Sequence, residues 1–251
     1  MSKLMYMMRN RFVSDVEDEE FAGYAVQGFD DVLWSFMGTN VERYKSRMTD
    51  KPKRMRAIIQ NRTTDNPQFA TLRQMLYAVD ETVECGNYIC WNNEWWVVPY
   101  LPDGNGVYNK AYLWYCNYML KFVSPITDEV VCYPVNTENA TRYNSGERET
   151  ERMTLGASQH IVYIPNNDET ILLNHGSRFI FDLNEERPTV MRISQVDSTS
   201  FAYGGAEAVR LLRLTLREDQ YNAVTDDKLL GVASYTEYND PPLTIGSTMY
   251  G

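Results

Sequence analysis

Two histidines, His160 and His175, are the first residues to weigh for chemistry in this chain of 251 residues. Neither lies in an HExxH pattern or in any other spacing that gathers imidazoles around one metal ion. His160 ends the run Gly156-Ala-Ser-Gln-His160, which is not the Gly-x-Ser-x-Gly turn that exposes a nucleophilic serine, so its Ser-x-His order is incidental. Gly104-x-Gly106 lacks a third glycine and a following helix, and no Gly-x4-Gly-Lys-Ser/Thr phosphate loop occurs. The acidic pair Asp226-Asp227 could hold a cation, although adjacent acids in a turn are usually just hydrated. The four cysteines, Cys85, Cys90, Cys116 and Cys132, include no Cys-x-x-Cys pair, and their spacings match no zinc ribbon. They read as reduced thiols that pack as small hydrophobes. No catalytic residue, cofactor or metal ligand is nominated, and the chain reads as one that assembles rather than an enzyme.

The elements that must position any surface are more legible. Residues 88–122 hold four of the five tryptophans: Trp91, Trp95, Trp96 and Trp114. Within them Asn87-Tyr-Ile-Cys-Trp91 and Glu94-Trp-Trp-Val-Val98 flank Asn92-Asn93, a two-residue connection suited to a type I′ turn, because asparagine tolerates positive φ. Residues 111–123 alternate with Tyr112, Trp114, Cys116, Tyr118, Leu120 and Phe122 on one face, and predict one long strand. Trp95 and Trp96 are adjacent in a strand, so their rings must leave opposite faces, and one of them is either outside the barrel core or under another element.

The fold class expected is mainly β with an N-terminal helical segment: a small antiparallel β-barrel followed by a β-sandwich-like domain. Residues 1–66 read as a helical arm, with Asp30-Asp31 capping a helix through Val32, Leu33, Phe36 and Met37, and a further helical turn through Met55, Ile58 and Ile59. Residues 67–134 form the aromatic-rich barrel, with strands at 69–79, 87–91, 94–100, 111–123 and 130–133. A polar loop over 135–152 leads to a second β block at 153–235, with strands at 159–165, 170–173, 178–182, 189–197, 208–217 and 228–235. A loosely held tail fills 236–251. No run of 18 apolar residues predicts a transmembrane helix, and the N-terminus lacks a signal-peptide pattern, which points to cytoplasmic synthesis and no membrane partner.

Charge is unevenly distributed. The net charge is −10, yet residues 41–64 carry eight cations (Arg43, Lys45, Arg47, Lys51, Lys53, Arg54, Arg56 and Arg62) against Glu42 and Asp50. A basic strip on an acidic body suits a subunit with one surface facing an acidic neighbour or nucleic acid. The candidate partner- or DNA-facing residues are Arg43, Arg47, Lys51, Lys53, Arg54 and Arg56. The candidate interface aromatics are Trp95, Trp96, Tyr100 and Trp114.

The segment Cys85-Gly-Asn-Tyr-Ile-Cys-Trp-Asn-Asn-Glu-Trp-Trp-Val-Val98 resembles the strand–turn–strand of head-closure (stopper) proteins of long-tailed bacteriophages. In that family a Gly-Asp pair opens the unit; here Asn87 takes the place of the aspartate. Arg54-Met-Arg-Ala-Ile-Ile59 is similar to their N-terminal helix. Asn117-Tyr-Met-Leu-Lys-Phe122, Arg142-Tyr-Asn-Ser-Gly-Glu147, Leu155-Gly-Ala-Ser-Gln-His160 and Arg178-Phe-Ile-Phe-Asp182 follow in the order found in siphophage head–tail joining proteins. The resemblance implies a homo-oligomeric ring in the virion neck, an adaptor or a stopper, that retains packaged double-stranded DNA. Its neighbours would be a portal or adaptor protein and a tail terminator or tail tube protein. It implies channel loops as well, for which Asp103, Gly104, Asn105, Gly106, Arg142, Arg148 and Arg152 are the candidates. A tail terminator or other tail component is the alternative within this class. A glycan-binding module stacking sugars on Trp95, Trp96, Tyr100, Tyr112 and Trp114 is the alternative outside it.

Overall fold

The computed structural model describes residues 15–61, 72–139, 159–182, 188–202 and 209–235. The chain divides into two compact units, Met1–Lys45 with Thr49–Tyr115, and Ser46–Met48 with Cys116–Gly251.

The first unit is a closed six-stranded barrel. Its strands are β1 (Thr39–Tyr44), β2 (Lys53–Asn61), β3 (Leu72–Tyr77), β4 (Tyr88–Trp91), β5 (Glu94–Val97) and β6 (Asn109–Tyr115), in the order β1-β2-β3-β6-β5-β4. Closure comes from β1, which pairs antiparallel with β2 and also with β4, Glu42 facing Cys90 and Tyr44 facing Tyr88. A barrel of this size is filled by side chains. Val41, Met55, Ala57, Met75, Ile89, Trp96, Ala111 and Leu113 form its dry interior. The β4–β5 turn has Asn92 at φ 52° and Asn93 at φ 63°, the left-handed pair that a type I′ connection demands.

Asn87 fixes the entrance to β4. It is buried, its Oδ1 accepts from the Glu84 N–H at 2.9 Å, and its Nδ2 donates to the Lys45 carbonyl at 2.9 Å. Its own N–H donates to the Glu84 carbonyl, and its carbonyl accepts from Val98 at 3.0 Å. The amide therefore joins the end of β1 to the start of β4, using one donor and one acceptor. An aspartate at this position has no donor for the Lys45 carbonyl.

Helix α1 (Asp15–Trp34) precedes the barrel. Its last turns meet the barrel through half-buried Val26 and Phe29 and buried Leu33, with Phe29 stacked on Tyr108 at 5.0 Å. The end of the helix is capped from β2. Arg56 Nε donates to the Leu33 carbonyl at 2.8 Å, and Nη2 donates to those of Ser35 and Gly38 at 3.1 and 2.7 Å. These carbonyls have no intrahelical donor, and a cation there opposes the negative end of the helix dipole. At Gly38 an added Cβ would lie 1.8 Å from the Leu33 carbonyl oxygen, so the exit from the helix admits no side chain.

The second unit is one six-stranded antiparallel sheet of β7 (Tyr118–Val123), β8 (Val130–Asn139), β9 (Gln159–Asn166), β10 (Arg178–Asp182), β11 (Thr189–Asp197) and β12 (Arg210–Asp219), in the order β10-β11-β12-β9-β8-β7. It curls until its two outer strands meet: Tyr118 Oη donates to the Ile180 carbonyl at 2.9 Å, and its ring stacks on Phe181. Arg178 fastens the segment after β12. Its guanidinium grips Asp226 with two parallel bonds of 2.7 and 3.0 Å, and Nε donates to Asp219 at 3.0 Å. Burial would raise the Asp226 carboxyl, but N–H groups of Asn222 and Ser234 together with Arg178 outweigh it and hold the group below its ordinary 3.8.

The expected fold class holds: a mainly β chain with an N-terminal helix, a small antiparallel barrel and a second six-stranded β unit. Several positions differ. Residues 39–61, read as helical, form β1 and β2, and Asp30-Asp31 lies in the last turns of α1 rather than capping its start. The strand expected over 111–123 is two strands in different units. The break falls at Asn117, whose side-chain amide accepts from the Thr137 N–H and donates to the Thr137 carbonyl, replacing a ladder pair. In β6 the inward face is Ala111 and Leu113, and Tyr112 and Trp114 point away from it. Residues 170–172 form a 3-10 turn, and 228–235 contribute only an isolated bridge from Asp227 to Val232. The expected loop over 135–152 begins inside β8, and residues 140–158 and 236–251 lie outside the described residues.

Two substitutions test these fastenings. Asn87→Asp should lower stability by about 2 kcal/mol at neutral pH, because a buried carboxylate then faces the Lys45 carbonyl without a donor. Denaturant unfolding should show part of the loss recovered in acid, where the protonated carboxyl can donate. Asp226→Asn should cost about 3 kcal/mol, since Arg178 loses its buried counter-charge. The folded carboxyl is depressed, so its contribution is complete above 3.8 and is lost as pH falls through the lower folded value. The deficit of the variant should therefore disappear in strong acid; a constant deficit across pH would contradict this role for Asp226.

Candidate functional site

Among the described residues no group of histidine, cysteine and acidic side chains is placed to hold a metal ion. His160 lies beside Phe181, its ring nitrogens made less basic by burial, and His175 is exposed. Asp226 is occupied by Arg178, and Asp227 accepts from the N–H groups of Leu229 and Leu230, so the acidic pair serves the turn. The four cysteines are free thiols, and burial raises those of Cys90, Cys116 and Cys132, the opposite of an activated nucleophile.

The structure sorts the four candidate aromatics. Trp96 is 3% exposed and points into the barrel against Trp91 and Tyr115, so it offers no surface. Trp95 leaves the opposite face, as adjacency in a strand requires, and packs beside Tyr44 at 4.9 Å and Tyr88 at 5.9 Å. Tyr100 stacks on Tyr112 at 6.0 Å and is exposed, whereas Trp114 is half-buried on the outer side of β6. The stacking platform imagined for sugars is thus broken: its members do not share one open face.

The basic strip lies on β1, β2 and the connection between them, and is divided by use. Arg56 caps α1, and Arg43 donates to the Thr82 carbonyl. Arg47, itself part of the second unit, lies 3.5 Å from buried Glu169, a carboxylate to which Ser124 and Tyr133 donate. These three cations are structural. Lys51, Lys53 and Arg54 are exposed at the start of β2 and just before it. Lys53 pairs with Glu81 at 2.6 Å, its carboxylate oxygen buried, and exposed Arg54 pairs with Glu42 at 3.0 Å, where such a pair holds little energy. Arg62 lies outside the described residues.

The candidate channel loop lies between β5 and β6. Asp103, Gly104, Asn105 and Gly106 are all exposed, and Asn105 Oδ1 accepts from the N–H groups of Val107 and Tyr108 at 3.1 and 3.0 Å. Gly106 takes φ 79°, which suits glycine. The loop is a shaped tip resting on the barrel. Arg142, Arg148 and Arg152 lie outside the described residues. A cavity of about 740 Å³ opens between the end of α1, β1, β2 and the β4–β5 turn, lined by Leu33, Trp34, Val41, Met55 and Cys90. Its carboxylates Glu42 and Glu81 already face Arg54 and Lys53.

Sequence reasoning missed the residues that carry most of the polar organisation: Asn87, Glu169, and the capping role of Arg56. Only Asn87 had a local signal, as the residue opening the recognised hairpin. No helix among the described residues is long and apolar enough to cross a membrane.

No protein-family model matches the chain, and no curated protein matches it. Among solved structures one match bears the description "MrkH, A novel c-di-GMP dependence transcription regulatory factor". It is 6% identical over 83% of this chain and 87% of that one, with a TM-score of 0.22, a likeness too slight to carry any argument.

Proposed function

We propose that this chain is a non-catalytic structural subunit of a tailed-bacteriophage particle, repeated as a ring in the neck between head and tail. In that place it closes the filled head, retains packaged double-stranded DNA, and gives the tail a docking surface. Its neighbours are the portal or adaptor protein on one side and a tail terminator or tail tube protein on the other. The observation that carries this reading is the unit at residues 84–98. A buried Gly-Asn turn leads into strand, two-residue turn and strand, and this unit closes a small barrel. That is the arrangement the resemblance to head-closure proteins implies. Further support comes from where the polar groups go: the buried carboxylates and several arginines fasten elements together, while exposed surface is left at the β5–β6 loop, the β1–β2 connection and α1. A tail terminator or other tail component would use the same features. The glycan-binding alternative is weaker, because Trp96 is enclosed in the barrel.

Labelled antibody against the chain, imaged on intact particles, tests the location. Label confined to the neck supports the reading; label on capsid faces, or a chain found only free in infected cells, rejects it. Removing Asp103–Gly106 tests the loop. The exposed tip is held by its own turn bonds, so the barrel should still fold and tails should still attach. The particles should release DNA at lower temperature than the parent, and unchanged retention would remove this loop from the channel.

A further inference from the structure

Asn105-Gly106 is the sole Asn-Gly dipeptide in the chain, and it sits at the tip of the β5–β6 loop, where both residues are exposed. An asparagine amide is open to attack by the backbone nitrogen of the next residue, because the ring that forms is small and unstrained. Most side chains at that next residue hinder the approach. Glycine does not: it has no Cβ, and Gly106 stands at φ 79°. Outside its chain neighbours, nothing lies within 4 Å of where a Cβ would stand. The peptide therefore has room to turn toward the side chain.

The amide is also held in a way that suits the reaction. Asn105 Oδ1 accepts from the Val107 N–H at 3.1 Å and from the Tyr108 N–H at 3.0 Å. Negative charge collects on that oxygen as the carbonyl carbon becomes tetrahedral, and two fixed backbone donors stabilise it there. Nδ2, the nitrogen that must leave, donates to no described residue. The neighbouring Asp103-Gly104 pair has the same spacing in a different setting. Its carboxylate is a poor electrophile, and a Cβ at Gly104 would lie 2.7 Å from Asn109 Oδ1, so that turn is closed in.

We propose that Asn105 is a site of spontaneous deamidation, with the loop itself supplying the nucleophile and the stabilising donors. The Gly106 nitrogen bonds to Asn105 Cγ, the Cγ–Nδ2 bond breaks, and ammonia leaves with the proton that Gly106 gives up. Water then opens the resulting succinimide at one of its two carbonyls. Opening at Cγ leaves aspartate, whose carboxylate accepts the same two N–H bonds, so the loop keeps its shape and gains a negative charge. Opening at the backbone carbonyl leaves isoaspartate, which adds a carbon to the main chain and dismantles the turn. This chemistry depends on the loop alone and does not rest on the neck assignment.

The test is peptide mapping by mass spectrometry, on full-length protein incubated in mildly alkaline, isotopically labelled water. The peptide holding residue 105 should exchange its amide nitrogen for one labelled oxygen, in aspartate and isoaspartate forms. It should do so at least about tenfold faster than the peptide of any other described asparagine, because nucleophile and amide are already adjacent and unhindered. Gly106→Ala sets a Cβ beside the attacking nitrogen and should slow the exchange at least about tenfold. Asn105→Gln, which must close a larger ring, should show none. The folded chain should react at least as fast as the same chain unfolded in urea, since only the folded loop presents both donors. The inference is overturned if Asn105 stays intact while other asparagines react, or if Gly106→Ala exchanges as the parent does. A folded chain slower than the unfolded one would show that the turn shields the amide, and would overturn the role given to Val107 and Tyr108.

Discussion

The seam between β1 and β4 is the constraint on which the first unit depends. Six strands make a barrel only if the last meets the first, and here a strand near the start of the unit must find one far along the chain. Backbone pairing supplies the ladder, but the ends of the two strands are fixed by a side chain. Asn87 stands at the entry to β4 and holds the Lys45 carbonyl beyond the end of β1. A buried amide has just enough capacity for this, with one acceptor for Glu84 and donors to spare for Lys45. The seam then determines the surface. It sets Ile89 and Trp96 inward and Trp95 outward.

A second theme is the use of arginine as an organiser of backbone and carboxylate. Arg56 gathers three carbonyls at the end of α1, and Arg178 gathers Asp219, Asp226 and the Gln220 carbonyl behind β12. The planar guanidinium does this well because its donors diverge in a fixed fork. Lysine could supply the charge at either site but not the geometry. The consequence for function is subtractive. A count of cations in residues 41–64 overstates the charge offered to a partner, since part of it is consumed inside the fold.

How far the sequence was legible follows from the range of the interaction involved. The β4–β5 hairpin was readable because its turn chemistry is local: two asparagines at positive φ between two aromatic runs. β10 was found at its observed bounds, Arg178–Asp182. The failure at residues 39–61 has a specific cause. Met55, Ile58 and Ile59 have helical spacing, but as a strand the same residues put Met55, Ala57 and Ile59 toward the barrel, with Ile58 buried on the other face. Burial on both sides of β2 erased the period of two. The split at Asn117 was hidden for another reason: alternation continues through it, and the bonds to Thr137 come from a strand further along the chain. Of the candidate site, the exposed loop at 103–106 and the Trp95/Trp96 opposition were legible. The division of the arginines was not, because each depends on a distant carbonyl or carboxylate.

The same division gives the surface its sense. An acidic chain repels its own copies on average, and a net charge of −10 opposes close packing of subunits. The assembly proposed above would need local inversions of charge that are small and exposed. Of the exposed cations on and beside the β1–β2 connection, Lys53 faces Glu81 and Arg54 faces Glu42, while Lys45 and Lys51 lie in the connection itself. Helix α1 is held at its C-terminal end by Arg56 and by Phe29 on Tyr108. Arg56 therefore joins two elements: it lies in β2 beside Lys53 and Arg54, and its guanidinium holds the carbonyls where the helix ends. The charge at this face is thus set by how helix and hairpin are joined, rather than by a count of cations along the sequence.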